Sequence, residues 1–86
     1  MEVSFSPSFL SFFRVLSKQL QEETLEKIDL FSDIKNHQAL KVHKLKGRLC
    51  GCYSFSVNYH IRIVFEFIGK PRRAYLLSIG DHEVYN

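Results

Sequence analysis

No stretch of this 86-residue chain approaches the roughly 20 consecutive apolar residues that a membrane-spanning helix needs. The opening Met1-Glu2-Val3-Ser4-Phe5 has neither the basic start nor the long apolar stretch of a secretory signal, so a cytoplasmic location is expected. Only two cysteines are present, Cys50 and Cys52, separated by Gly51. On a strand such a pair points the same way at a spacing too tight for an ordinary disulfide, and two thiols fall short of the four ligands of structural zinc. They read as reduced and structurally incidental. No internal repeat, low-complexity tract or linker divides the chain, so residues 1–86 are expected to form a single domain.

What is present argues for a packed core. Apolar residues make up 45% of the sequence and aromatics 14%, with eight phenylalanines, which excludes a disordered chain. Charge is unevenly divided. Residues 1–40 carry four basic side chains (Arg14, Lys18, Lys27, Lys35) against six acidic ones, a balance of −2, whereas residues 41–86 carry eight against three, +5, giving the net +3. A basic second half favours a polyanionic partner such as RNA, DNA or an acidic protein segment; the bland reading is a solvated basic surface.

Val3 and Phe5 alternate with polar neighbours and suggest a short first strand. Ser6 is a candidate N-cap and Pro7 fits the first helical position, and Phe9, Phe13 and Leu16 continue at helical spacing, which predicts a helix over about residues 7 to 16. Ser17 then caps a second helix whose apolar stripe is Leu20, Leu25, Ile28 and Phe31. With almost no loop between them, the two form a helical hairpin. From Ser32 to Lys46 the periodicity fades into a long basic loop. Three strands follow, two alternating runs around Tyr53 to Val57 and Ile61 to Phe67 and a third, apolar run from Ala74 to Ile79, with reversals at Asn58-Tyr59 and Gly69-Lys70-Pro71. The expected fold class is therefore α+β in the order β-α-α-β-β-β: an N-terminal strand, a helical hairpin, and a three-strand antiparallel meander with the helices on one sheet face.

The alternation places Ser54, Ser56, His60, Arg62 and Glu66 on the other sheet face, an open cationic floor. Four pieces are expected to converge there: the loop His43-Lys44-Leu45-Lys46-Gly47-Arg48, with Lys41 before it; Arg62; and the tail residues His82 and Tyr85. Cutting RNA without a metal needs a base for the 2′-hydroxyl proton, an acid for the departing 5′-oxygen, and cations for the charge growing on the phosphate. Histidines, lysines and an arginine supply all three, and a tyrosine can stack on a base. The candidates are His43, Lys46, Arg62, His82 and Tyr85 for catalysis and Lys41, Lys44 and Arg48 for the RNA; by spacing alone the signal is weak, a loop histidine being more often a surface residue and Lys44 and Lys46 being equally compatible with solvated side chains. His37 and His60 read as structural. A metal at His43 and His82 finds no supporting carboxylate or cysteine at a suitable spacing, and neither metal nor cofactor is expected.

Taken together, the order of Lys44-Leu45-Lys46-Gly47, Tyr53-Ser54-Phe55-Ser56-Val57, Tyr59-His60-Ile61-Arg62-Ile63-Val64-Phe65 and Ile79-Gly80-Asp81-His82-Glu83-Val84-Tyr85 resembles the RelE/ParE superfamily of bacterial toxin-antitoxin toxins across nearly the whole chain. The resemblance implies a helical hairpin on a twisted antiparallel sheet. It also implies a cognate antitoxin as partner and, in the RelE, YoeB and YafQ branches, ribosome-dependent cleavage of messenger RNA in the A site without metal. In that frame Arg62 falls on the phosphate-binding arginine, His82 on a catalytic histidine and Tyr85 on the C-terminal tyrosine. His43 falls where related toxins carry a glutamate or histidine base, and Lys44 and Lys46 match the paired basic loop residues. The ParE branch shares the fold but poisons DNA gyrase and needs no acid or base. The further alternative is an inactive member that only binds its antitoxin.

Overall fold

A computed structural model describes residues 1–47 and 51–81. The elements run β1 (Val3–Phe5), α1 (Pro7–Arg14), α2 (Lys18–Phe31), a short 3-10 turn (Ile34–Asn36), β2 (His43–Lys44), β3 (Tyr53–Ser56), β4 (Arg62–Ile68) and β5 (Arg73–Gly80). All five strands join one sheet in the order β1-β5-β4-β3-β2. The expected α+β architecture is present, with two additions. β1 pairs in parallel with the first half of β5, and β2 extends the antiparallel meander by one short edge strand. The segment 32–46, read from sequence as a loop, thus contains a helical turn and a strand.

Local chemistry starts and stops the helices. The Ser6 hydroxyl accepts the Phe9 N–H at 2.9 Å, and Pro7 occupies the first turn, where its missing donor costs nothing. Ser17 caps α2 in the same way through Leu20 N–H at 3.2 Å. The end of α1 at Arg14 is closed by Gln21, whose side-chain amide donates to the Phe13 carbonyl at 3.0 Å. The helices therefore form the expected hairpin, with α1 two residues shorter than its sequence pattern.

The core lies between the helix pair and the sheet. Phe9, Ile28 and Phe31 from the helices meet Phe55, Ile63, Phe65, Ala74, Leu76 and Ile79 from the strands. Phe31 is the hub: its ring stacks on Phe55 at 4.2 Å and on His37 at 4.7 Å, and meets the edge of Phe65 at 4.8 Å. The expected α2 stripe is out of phase at one position. Leu25 is 54% exposed, and Thr24 is fully buried in its place. At 100° per residue, positions 20, 24, 28 and 31 share a face, whereas 25 lies well off it.

The sheet carries one irregularity that matters for the site. Val64 pairs with Ser78 but Phe65 pairs with Leu76, so Leu77 is an extra residue on β5. This bulge lets Leu76 and Ile79 both enter the core although they are three apart, and it keeps Ser78 and Gly80 on the face away from the helices. The segment around β2 is held by apolar anchors. Leu40 and Leu45 are buried, and the Leu40 carbonyl accepts the Ser56 N–H at 2.9 Å.

Candidate active site

Strand pairing determines which residues share the sheet face turned away from the helices. One cross-strand row is His43, Ser54, Val64 and Ser78; the next is Ser56, Arg62 and Gly80. His43 and Arg62 therefore lie on one face, two strands and two residues apart. Strand spacing and rise put their Cα atoms about 12 Å from each other. The floor is less open than its composition suggests. Ser54 and Val64 are buried, and His60 sits in the turn before β4 rather than on a strand.

His43 is held in a chemically defined state. Its Nδ1 lies 2.8 Å from the Lys41 carbonyl oxygen, which only accepts, so Nδ1 carries the proton. In the neutral ring this leaves the Nε2 lone pair available, facing the Ser54 hydroxyl at 3.4 Å. An imidazole oriented through Nδ1 with a basic Nε2 is the arrangement a general base requires.

The carbonyl that orients His43 comes from a strained residue. Lys41 has φ of 60°, the left-handed region that a side chain bearing a Cβ seldom adopts. The Val42 N–H bonds to the His37 carbonyl at 3.0 Å and the Lys41 N–H to that of Gln38 at 3.1 Å. This paired pattern is the Schellman arrangement, and its left-handed position is usually glycine. A lysine there keeps a positive charge beside the site at a cost in backbone energy.

Arg62 points toward the end of the sheet. Its Nη1 donates to the Asn58 carbonyl at 2.9 Å and the Tyr59 carbonyl at 3.2 Å, which fastens the guanidinium to the β3–β4 turn. Nε and Nη2 donate to nothing among the described residues. The turn is itself braced: the Asn58 carboxamide oxygen accepts the N–H groups of His60 and Ile61 at 2.8 and 2.9 Å. Arg62 thus borders an open cleft of about 850 Å³ that is also lined by Lys27, Lys41, Tyr59, His60 and Asp81.

The other residues singled out from sequence separate. Lys44 follows His43 directly on β2 and pairs with Tyr53, so it faces the opposite side of the sheet from His43. This corrects the expectation that the basic loop converges on one floor. Lys46 is exposed just beyond β2, next to Gly47 with φ of 73°. Arg48, His82 and Tyr85 lie outside the described residues. His37 is tied to the core, its Nε2 donating to the Phe31 carbonyl at 2.8 Å. The sequence reading missed Lys27 and Tyr59, and it placed His60 on the floor rather than in the cleft wall. Tyr59 carried one available signal, an aromatic side chain inside a reversal. Among the described residues no three or more His, Cys, Asp or Glu side chains converge as a metal site would require, and no helix is long and apolar enough to cross a membrane.

No family model and no curated protein matches the sequence. Solved structures do match the fold. YafQ from Escherichia coli strain BL21(DE3) aligns over 96% of this chain and 94% of its own with a TM-score of 0.77 at 11% identity. The RelBE2 toxin-antitoxin complex from Mycobacterium tuberculosis aligns over 94% of this chain and 96% of that chain with a TM-score of 0.75 at 15% identity. A YoeB-YefM complex from Staphylococcus aureus gives 95% and 97%, a TM-score of 0.69 and 22% identity.

Proposed function

We propose that this chain, which has the fold of the RelE/ParE-type toxins, is the toxin of a toxin-antitoxin pair and acts as a metal-independent endoribonuclease on messenger RNA in the ribosomal A site. The observation that carries this reading is the state of His43. Its Nδ1–H is fixed on the Lys41 carbonyl, with Nε2 left basic on the sheet face it shares with Arg62. A gyrase-binding toxin has no need of an oriented base.

In the proposed reaction His43 Nε2 takes the proton of a ribose 2′-hydroxyl, and the 2′-oxygen attacks the adjacent phosphorus. The bond from phosphorus to the 5′-oxygen breaks, leaving a 2′,3′-cyclic phosphate, and the 5′-oxygen takes a proton from the acid. His82 is the proposed acid. Arg62 and Lys46 would stabilise the charge on the phosphoryl oxygens, Tyr85 would stack on the substrate, and Lys41 and Arg48 would hold the RNA backbone. The cognate antitoxin, which the toxin-antitoxin complexes of matching fold suggest as partner, would silence the chain by binding it. A cytoplasmic location follows from a ribosomal target.

The test is growth arrest on induction of the chain without an antitoxin. His43→Gln, which keeps a polar side chain but not a base, should lower the rate of messenger RNA loss by roughly 100- to 10,000-fold, the usual worth of a general acid-base group. Arg62→Ala should do the same through loss of phosphate stabilisation. Full toxicity in both variants would contradict the nuclease reading and favour a target that needs only binding.

A further inference from the structure

We infer that the cleft between α2, the turn at residues 39–41 and the β3–β4 turn is a nucleotide subsite. It takes one base of single-stranded RNA on the Tyr59 ring and the flanking phosphates on Lys27, Lys41 and Arg62. The inference rests on the RNA-cutting reading and extends it to a site beside the reacting phosphate.

Its volume, about 850 Å³, lies in the range of sites that hold small ligands. Among the described residues that line it, Lys27, Lys41 and Arg62 are cations and Asp81 is the one acidic residue. Lys27 comes from the otherwise acidic first half of the chain, so the cleft gathers positive charge from both halves. Lys41 holds its place there in a left-handed conformation that glycine would adopt more easily.

Tyr59 supplies what phosphate contacts alone do not. The residue is 88% exposed and stands outside the core, and its ring meets the His60 ring edge-on at 5.3 Å. The backbone beneath it is braced: the Asn58 side chain caps the turn and Arg62 Nη1 donates to the Asn58 and Tyr59 carbonyls. An exposed aromatic on a braced turn beside a row of cations is the combination that single-stranded nucleic acid uses, base on ring and phosphate on charge. The same Arg62 that faces the reacting phosphate through its remaining donors also supports the Tyr59 platform, so base binding and phosphate binding share one side chain.

The experiment titrates the full chain with a fluorescently labelled single-stranded ribotrinucleotide whose ribose oxygens are 2′-O-methylated to prevent cutting, beside the same probe with its central base removed. Tyr59→Ala should weaken binding of the normal probe roughly 5- to 150-fold, the worth of one base-aromatic stack, and Tyr59→Phe should restore it. The abasic probe should bind the wild type no better than the normal probe binds Tyr59→Ala. Lys27→Ala should lower the slope of log affinity against log salt by about one. Undetectable binding by the wild type, or equal affinities for Tyr59→Ala and wild type at unchanged melting temperature, would overturn the subsite. Cleavage of a translated messenger RNA is followed in parallel. A chain that cuts while Tyr59→Ala binds normally overturns the subsite and leaves the nuclease reading standing. A chain that binds as described without cutting supports the subsite and overturns the nuclease reading.

Discussion

Replacing Lys41 by glycine should make the protein more stable and a poorer RNA binder at the same time. The left-handed conformation at φ 60° costs a residue bearing a Cβ about 1–2 kcal/mol, which glycine does not incur. Glycine gives back about 0.5–1 kcal/mol through the greater freedom of its unfolded chain. The net gain is about 0.5–1 kcal/mol, which for a domain of this length raises the melting temperature by roughly 2–8 °C. Lys41→Ala is the control, since it removes the same charge but keeps the Cβ, and its stability should stay within about 0.5 kcal/mol of the wild type. Both variants remove a cation from the cleft, so both should lower the salt slope of RNA binding by about one. Thermal melts followed by circular dichroism, read with binding titrations at three salt concentrations, measure the two effects separately. If Lys41→Gly melts no higher than Lys41→Ala, the backbone argument is wrong. If both bind RNA as the wild type does, the lysine is not held there for its charge.

Three further predictions concern the fold. Thr24 is fully buried on α2 and its hydroxyl has no hydrogen-bond partner among the described residues, so Thr24→Val should add about 1 kcal/mol of stability in urea denaturation, and a loss would show that the hydroxyl is satisfied in solution. Phe31→Ala removes the ring on which three others pack and should cost about 3–5 kcal/mol, much of the stability of a chain this small; a loss below 1 kcal/mol by the same assay would refute its place as hub. The Lys35 N–H donates to the Asp33 carboxylate at 3.1 Å and, with the Lys35 ammonium at 3.4 Å, holds that carboxyl below the usual aspartate range. A lowered folded pKa means that this stabilisation is present above the unfolded value of about 3.9 and is lost as pH falls through the folded one. An NMR titration of Asp33 should therefore have its midpoint below that of an unstructured aspartate, and a midpoint at or above it would contradict the contact.

The parts of the fold legible in the sequence were those with local causes. Ser6-Pro7 and Ser17 act on the residues just after them, and the alternation through Tyr53, Phe55, Ile63 and Phe65 follows from a sheet with one face in the core. The rest depended on contacts that a linear pattern does not carry. Leu40, Val42 and Leu45 anchor the segment before β3, but their spacing matches neither a helix nor a long strand, so the segment looked like a loop. Thr24 enters the core because of helix phase, against its own polarity. The bulge at Leu77 is visible only as an odd spacing between Leu76 and Ile79. In the candidate site, Arg62 and His43 were identifiable by residue type and position. The sequence gives no sign that turn carbonyls turn Arg62 toward a cleft, or that adjacent strand positions send Lys44 to the other face. Tyr59 looked like part of a reversal because nothing in its neighbours reports that the turn is braced and the ring exposed.

The most direct test of the central claim is primer extension on a defined messenger RNA in a reconstituted translation system supplied with the purified chain. The account predicts breaks in codon phase at positions occupied by translating ribosomes, absent on the same RNA without ribosomes and strongly reduced with His43→Gln. Intact messenger RNA, in a preparation that instead traps DNA gyrase on broken DNA, would contradict it.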